Sequence, residues 1–518
     1  MNSLSTSRTA LTVARTTKNQ AVMQAAKAAL IVWAAAEASQ PTSGQGFQLG
    51  ALPCPDINND GVSDYSGQNC AGLLGRLPYK TLGIADLRDA SGEQLWYAIS
   101  SNFVRSTNNV INSDKQGLLT MTGLAPASNV IAVVLAPGAR LGAQNRGAAG
   151  INTASNYLEN SNGTANSTNF VTATENVTDE VNFFNDQLLA IAHEDLFSLV
   201  EPAVAARIQR DIVLQYIYNP SPGTSNNWTD GGGTDRSRYF DAWGAFPFAA
   251  TFASPGSSSF TGVAGTREGL LPVADLSPNP VSSPYYLWSS GSVTQTGGSG
   301  VVWNGSTCST TNSNSRVQCG IWYYYAPTFR MSGTANKVGL SFVQLPRLTD
   351  VSISGSSMSS RSISGSLNSS GAGIVNLDAT MSYQSGWTYA TVTIKNDNMI
   401  ASQLISTGDP YAGWFNKNQW YKQTYYAVSS GYSGANTGCN ITYPCLTVAN
   451  LPAPYADPKT DTRAILILAG RSLNGATRPS ATLSDYLEGQ NASTGDYSFE
   501  HAKSRSATIN DKVIVVAP

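Results

Sequence analysis

Charge is scarce in this chain. Only 12% of its 518 residues are Asp, Glu, Lys or Arg, the net charge is −2, and no basic run exceeds a few residues. That argues against nucleic acid as a partner, because phosphate binding rests on clustered Lys and Arg. Histidine is scarcer: His193 and His501 are the only two. With no Cys-x-x-Cys spacing either, a zinc site has no ligand set. Catalytic signatures are missing too. There is no P-loop and no HExxH, and the nearest approach to GxSxG, from Gly431 through Ser433, has Ala435 where the final glycine belongs. Nothing reads as a signal peptide or a membrane span.

What is present suits an exported β-rich protein. The length allows about two to four domains, and Gly, Ser, Thr and Asn are abundant. The six cysteines fall in local pairs, Cys54 with Cys70, Cys308 with Cys319 and Cys439 with Cys445. Such pairing predicts three short-loop disulfides and an oxidising compartment.

The chain also contains itself twice. LWYAIS at Leu95 is followed by LTMTGLAPASNVIAVVLAPGARLGAQNRGA, NYLENSN and FNDQLLAI, ending at Ile191. YYAVS at Tyr425 is followed by LTVANLPAPYADPKTDTRAILILAGRSLNGATRP, DYLEGQN and INDKVIVV, ending at Val516. Upstream, GALPCPD at Gly50 matches GAFPFAA at Gly244, and GRLPYKTL at Gly75 matches EGLLPVADL at Glu268. The spacing predicts two similar antiparallel sheets with Ile131–Leu135 and Ile465–Leu468 as equivalent central strands. A duplicated fold without a duplicated catalytic group points to a structural or interaction role.

Each copy follows a helical run. The first spans about Ser7 to Ala38 without Gly or Pro, and Val22, Ala25, Ala26, Ala29, Leu30 and Trp33 recur at three and four as one apolar stripe. The second begins near Glu194, with Leu196, Val200, Val204, Ile208 and Ile212 on one face. Between about Pro280 and Trp414 lies Ser/Gly/Thr-rich material with no counterpart in the first copy, which reads as an inserted β domain. Its aromatics suit sheet packing or, at Trp303, Trp322 and Tyr324, a ligand surface. The expected organisation is a helix stem over 1–38, a β head over 39–193, and a second helix with its connection over 194–279. The insert then covers 280–414 and a second β head 415–518.

One constellation could carry metal chemistry. In DINNDGVSD, Asp56, Asn58, Asp60 and Asp64 stand at positions 1, 3, 5 and 9 with Gly61 at 6, the first half of a calcium loop. Position 12 is Gly67, not Glu. Two readings stay open: a Ca2+ site, or an Asp/Asn turn tied by a Cys54–Cys70 bridge. His193, beside Glu194 and Asp195, reads as an N-terminal cap rather than a base. Asn185–Asp186 and Asn510–Asp511 recur before equivalent strands and are expected to form turns, and Arg140 and Arg471 are paired as equivalents on the same logic.

Four ordered blocks carry a family resemblance: KAALIVWAAAEA at the end of the first helix, LPCPDINNDGVSD from Leu52, CAGLLGRLPYKTLGIADLRDASGEQLWYAIS from Cys70, and FNDQLLAIAHEDLF from Phe184. Together they resemble type IV pilin-like proteins, in particular the large bacterial minor pilins, relatives of the pseudopilins of type II secretion. The resemblance covers about 7–218 and 415–518 and omits the insert. It implies an α+β fold of tandem pilin-like modules, each a long helix plus an antiparallel sheet, with an inserted all-β domain. It implies a non-enzymatic subunit at a pilus tip or in a rare position, for assembly and adhesion. Its partners would be other pilins and minor pilins, and a host or surface ligand for the insert. Val22, Ala26, Leu30 and Trp33 would pack the helix in the filament. The family's leader, cleavage site and strongly apolar first half-helix are not in this sequence, so Met1 to Ser7 read as the start of a truncated stem. With that segment the subunit would sit in the inner membrane and periplasm before joining an extracellular pilus. Alternatives in view are a DNA-uptake receptor on a pilus tip, which near-neutral charge opposes, and a pseudopilin.

Overall fold

The structure is a computed structural model. It describes residues 2–36, 48–67, 69–105, 109–218, 227–229, 235–237, 240, 246–251, 266–272, 413–433, 438–473, 475–478, 480–502, 506 and 508–518, together with strand backbones between 302 and 395. Two compact units divide the chain: 1–207 with 414–420, and 208–413 with 421–518.

In the first unit α1 (Asn2–Ala36) runs for 35 residues, about 52 Å at 1.5 Å per residue. Four strands follow in one antiparallel sheet: β1 (Leu74–Arg76), β2 (Trp96–Ile99), β5 (Ala132–Ala136) and β7 (Gln187–Ile191), in the order β1-β2-β5-β7. A second sheet holds β3 (Leu119–Gly123), β4 (Ala127–Val130) and β6 (Asn169–Thr172), ordered β4-β3-β6, in which β3 and β6 are parallel. Every residue of β5 is buried. Val133 and Leu135 enter a core with Trp96, Leu119, Tyr157 and Phe170. The other face is closed by α1, which runs against β5 and β7. A strand covered on both faces reads as a continuous apolar run, which is why AVVLA lacks alternation. α2 (His193–Arg207) then packs beside α1. Residues 414–420 belong to the same unit, where Asn418 Oδ1 accepts the Ile111 amide at 3.1 Å.

The second unit repeats this plan. The helical run expected to continue as one helix from Glu194 is α-helical only to Arg207; Ile208–Ile217 is π-helical and contacts the last strand of the second unit. Its main sheet is β8 (Glu268–Leu270), β9 (Thr424–Val428), β12 (Ala464–Leu468) and β14 (Lys512–Ala517), in the order β8-β9-β12-β14. The smaller sheet is β10 (Leu446–Ala449), β11 (Lys459–Thr462) and β13 (Ser498–Glu500), ordered β11-β10-β13, again with one parallel pair, β10 and β13. Equivalent places in the core hold Tyr425, Leu446, Tyr486 and Phe499. Between β8 and β9 the described strand pairs of the insert are antiparallel, including Lys337–Phe342 with Gly373–Met381 and Asp350–Gly355 with Thr388–Lys395.

The correspondence extends to single contacts. Leu52 bridges Val104 in parallel and Asp56 bridges Arg76 antiparallel; Phe246 bridges Ser433 and Ala250 bridges Leu270 in the same senses. Gly75 and Gly269 lie under these crossings. A Cβ would stand 2.5 Å from the Asp56 carbonyl oxygen in one case and 2.0 Å from that of Ala250 in the other. Only glycine lets the two main chains approach that closely.

Candidate functional site

The helix α1 has two regimes. Residues 10–18 are exposed, with Leu11 at 63% and Val13 at 59%. From Asn19 onward one face is buried, through Met23, Ala26, Leu30 and Ala34. This differs from the expected filament-packing set. Ala26 and Leu30 are spent inside their own unit, while Val22 and Trp33 flank the buried line and are half-exposed. The physical reason is polar anchoring that an apolar-stripe count does not register. Asn19 Oδ1 accepts the Ala90 amide at 2.6 Å, and Lys27 Nζ donates to the Ala190 carbonyl at 3.0 Å. These fix the rotation of the helix about its axis. The face left open carries Val22, Val32 and Trp33, of which Val32 is 56% exposed. Among the described residues, no helix is long and apolar enough to cross a membrane.

The aspartate loop is gathered as expected, closed by a Cys54–Cys70 disulfide. Its oxygens are turned on its own main chain. Asp56 accepts the amides of Asn59 at 2.6 Å, Asp60 at 3.2 Å and Gly61 at 2.6 Å. Asp64 Oδ2 accepts Ile57 N at 2.6 Å and Asn58 N at 3.1 Å. Asn58 caps Asp60 N at 2.9 Å and Asp60 caps Val62 N at 2.8 Å. Gly61 has φ +86°, and a Cβ there would meet the Tyr79 ring at 2.6 Å. Burial pushes the Asp56 carboxyl up from its ordinary value, against the opposing pull of its amide donors. Asp56, Asn58, Asp60 and Asp64 would be the oxygens to hold Ca2+, and an ion taking them would displace these amide caps. Among the described residues, no group of three or more His, Cys, Asp or Glu side chains is placed to hold a metal.

Several expected roles land differently. His193 is not the cap of α2. Asp195 Oδ2 accepts the Ala192 amide at 2.7 Å, reaching back from the third helical position as half of a capping box. His193 Nε2 donates to the Ser113 carbonyl at 2.6 Å, and its ring stacks on Phe197 at 4.3 Å. Arg140 and Arg471 are not equivalents. Gly138 and Gly470 occupy the same place, each with Asn185 or Asn510 where a Cβ would sit, so Arg471 matches Ala139. The arginines that do correspond are Arg146 and Arg478. Each donates to the carbonyl of that glycine and lies over an aromatic ring, Tyr157 at 4.8 Å and Tyr486 at 5.4 Å. Asn185 and Asn510 donate to the carbonyls of Ala139 and Arg471, at 2.7 Å and 2.8 Å. Cys439–Cys445 is a disulfide. The Cys308–Cys319 pairing, Trp322 and the side chains of Trp303 and Tyr324 lie outside the described residues.

Compared with family models, curated proteins and solved structures, the chain finds no match in any of the three.

Sequence reasoning missed Arg76. Burial lowers its pKa, and its guanidinium lies 4.4 Å over the Trp96 ring and 4.0 Å over that of Tyr157. Its Nη2 donates to the Ile151 carbonyl at 3.1 Å. The equivalent position in the second unit is Leu270, so this buried cation belongs to the first copy alone. Its place beside a strand glycine, in GRLP against GLLP, was the available signal.

Proposed function

We propose that the chain is a non-enzymatic, minor pilin-like subunit of a type IV pilus, built from tandem pilin-like modules, with the insert as its recognition element. The observation that carries this reading is α1. Its C-terminal half lies on the first sheet through Met23, Ala26, Leu30 and Ala34, while residues 10–18 stay exposed along their whole circumference. A helix about 52 Å long that buries only half of itself in its own fold has surface left for other copies or other pilins. Burial of its open face, Val22, Val32 and Trp33, would supply the drive for assembly. The two disulfides among the described residues suit a protein that works outside the cytoplasm.

The test is fractionation of the native gene product in its own bacterium. The subunit should co-purify with sheared pili and be found in the inner membrane when the assembly machinery is deleted. Charged substitution at the open face, Val22→Asp with Val32→Asp, should abolish the pilus fraction and leave the folded protein intact by circular dichroism. A freely secreted protein that never fractionates with pili refutes the reading.

A further inference from the structure

The strings repeated just before the last strand of each sheet bring a glutamate and an aspartate together, twice. In the first unit Glu159 precedes the 3-10 turn Asn160–Gly163, and Asp186 precedes β7. Glu159 Oε2 accepts the amides of Asn185 at 3.0 Å and Asp186 at 3.2 Å. In return Asp186 Oδ2 accepts the Glu159 amide at 2.9 Å and Asn162 Nδ2 at 2.9 Å. The second unit repeats the exchange. Glu488 Oε2 accepts the Asn510 amide at 3.0 Å, while Asp511 Oδ2 accepts the Glu488 amide at 3.0 Å and Asn491 Nδ2 at 3.1 Å. Asp186 is 5% exposed and Asp511 3%.

One atom in each copy is left over. Asp186 Oδ1 and Asp511 Oδ1 are buried with no hydrogen-bond partner. An ionised carboxylate offers only acceptors, so neither oxygen has a reason to be there unless it carries a proton. A proton on Oδ1 makes it a donor towards the neighbouring glutamate, and one proton then satisfies both side chains. Two ionised carboxyls enclosed together would repel without relief.

We propose that Glu159–Asp186 and Glu488–Asp511 are proton-sharing carboxyl latches, one per module, each tying the start of the last strand to the 3-10 turn before the parallel strand and loosening as pH rises. Burial is the first cause that pushes Asp186 and Asp511 well above the ordinary carboxylate range, and the charge of the partner glutamate is the second. Glu488 is itself raised, again by burial first. The charged groups facing the first latch are Arg146 and, through it, Glu93. Arg146 donates to Gln144 Oε1 at 2.8 Å and pairs with Glu93 at 3.1 Å, and Gln144 Nε2 donates to Glu159 Oε1 at 2.8 Å. Facing the second are Arg478, whose charge acts on Glu488, and Glu500, whose main chain bonds Asn491. The amide of Glu500 donates to Asn491 Oδ1 at 2.8 Å.

The sign follows from proton counting. An unfolded Asp titrates near about 3.9, so above that pH the folded latch holds a proton that the unfolded chain does not. The unfolding constant of each unit therefore rises with pH, by up to about tenfold per pH unit for its latch, until the latch itself has titrated.

Hydrogen exchange of the intact chain, read on peptides covering β7 and β14 from about pH 5 to about pH 8 and corrected for intrinsic rates, reports each unit separately. The variants are Asp186→Asn, Asp511→Asn and their combination. Asparagine keeps one accepting oxygen and places an N–H where the latch needs a donor. Wild-type protection should fall as pH rises, and each variant should flatten the dependence in its own unit only. An unchanged slope in the double variant overturns the proposal. Should a variant fail to fold, infrared difference spectroscopy of the wild type decides: protonated-carboxyl absorption must be present at neutral pH and disappear on alkalinisation, and its absence overturns the proposal.

Discussion

Lys27 on α1 and Asp195 on the first turn of α2 meet through one oxygen that does two jobs. Lys27 Nζ lies 2.7 Å from Asp195 Oδ2, and the same Oδ2 accepts the Ala192 amide that begins α2 at 2.7 Å. The start of one helix and the docking of the other thus share a carboxylate, and Lys27 also closes the Ala190 carbonyl at the end of β7.

Lys27→Ala should destabilise the first unit by about 1–3 kcal/mol, because it leaves a main-chain acceptor and a carboxylate without their cation. Asp195→Ala should cost a similar amount, and the double variant less than the sum, since both remove one shared contact. Leu11→Ala, on the exposed stretch, should stay within about 0.5 kcal/mol. Urea unfolding followed by near-ultraviolet circular dichroism reads all four.

Gly75 and Gly269 should respond alike. Gly75→Ala and Gly269→Ala each drive a methyl into a main-chain oxygen that already bonds across the sheet. A cost of about 3 kcal/mol in the unit concerned follows from forced separation of the strands. Equal losses in two independent units, measured by exchange of β1 and β8 amides, would show that the equivalence is energetic as well as topological. A tolerated alanine at either site refutes it.

How much was legible follows from what repeats locally. AVVLA begins 24 residues before NYLENSN and AILIL 21 before DYLEGQN, near enough that the central strands were readable within one residue: Ile131–Leu135 expected, Ala132–Ala136 found. The glycine under each crossing was readable from GRLP against GLLP. The parallel strands β6 and β13 were not, because NFVT and SFE are short and their pairing with β3 and β10 spans about fifty residues of chain. The α1 stripe was displaced by one position, since a 3.6-residue period accepts either Val22-Ala26-Leu30-Trp33 or Met23-Ala26-Leu30-Ala34. The partners of Asn19 and Lys27 choose between them, and those, Ala90 in a loop and Ala190 in β7, lie far along the chain. The carboxyl latches left a trace, Glu-x-x-Asn followed by Asn-Asp in both copies, yet two acids in contact are not an expectation that residue type alone supports.

The aspartate loop should prove structural in its response to mutation. Asp56 satisfies three amides of its own loop, whereas in the second unit Ala250 makes the same bridge without a carboxylate. Asp56→Ala should therefore cost about 3 kcal/mol by stranding those donors, while the bridge to Arg76 survives. Melting temperature with and without millimolar calcium separates the two readings of the loop. An equal loss in both conditions is expected from amide capping, and a loss that appears only with calcium would assign the loop to the metal.

Reduction should act unequally on the two described disulfides. Cys54 and Cys70 are 16 residues apart with Cα atoms 5.2 Å apart, and they enclose the whole aspartate loop. Cys439 and Cys445 are 6 residues apart. On the chain-entropy argument, losing the longer closure costs about 3 kcal/mol and the shorter about 2. The first loss should also unseat Asp56, since Cys54 is buried two residues before it and holds the strand that crosses Gly75. The second loop rests on Gly431, where a Cβ would lie 2.6 Å from the Cys439 Cα, so its opening should loosen only the turn at Ser430–Tyr432. Cys54→Ser with Cys70→Ser should then lower protection across β1 and β2. The corresponding double serine variant at Cys439 and Cys445 should leave β9 and β12 protected. Non-reducing peptide mapping of the wild type should recover both pairs and Cys308–Cys319 as well, and a crossed pairing would refute the local scheme.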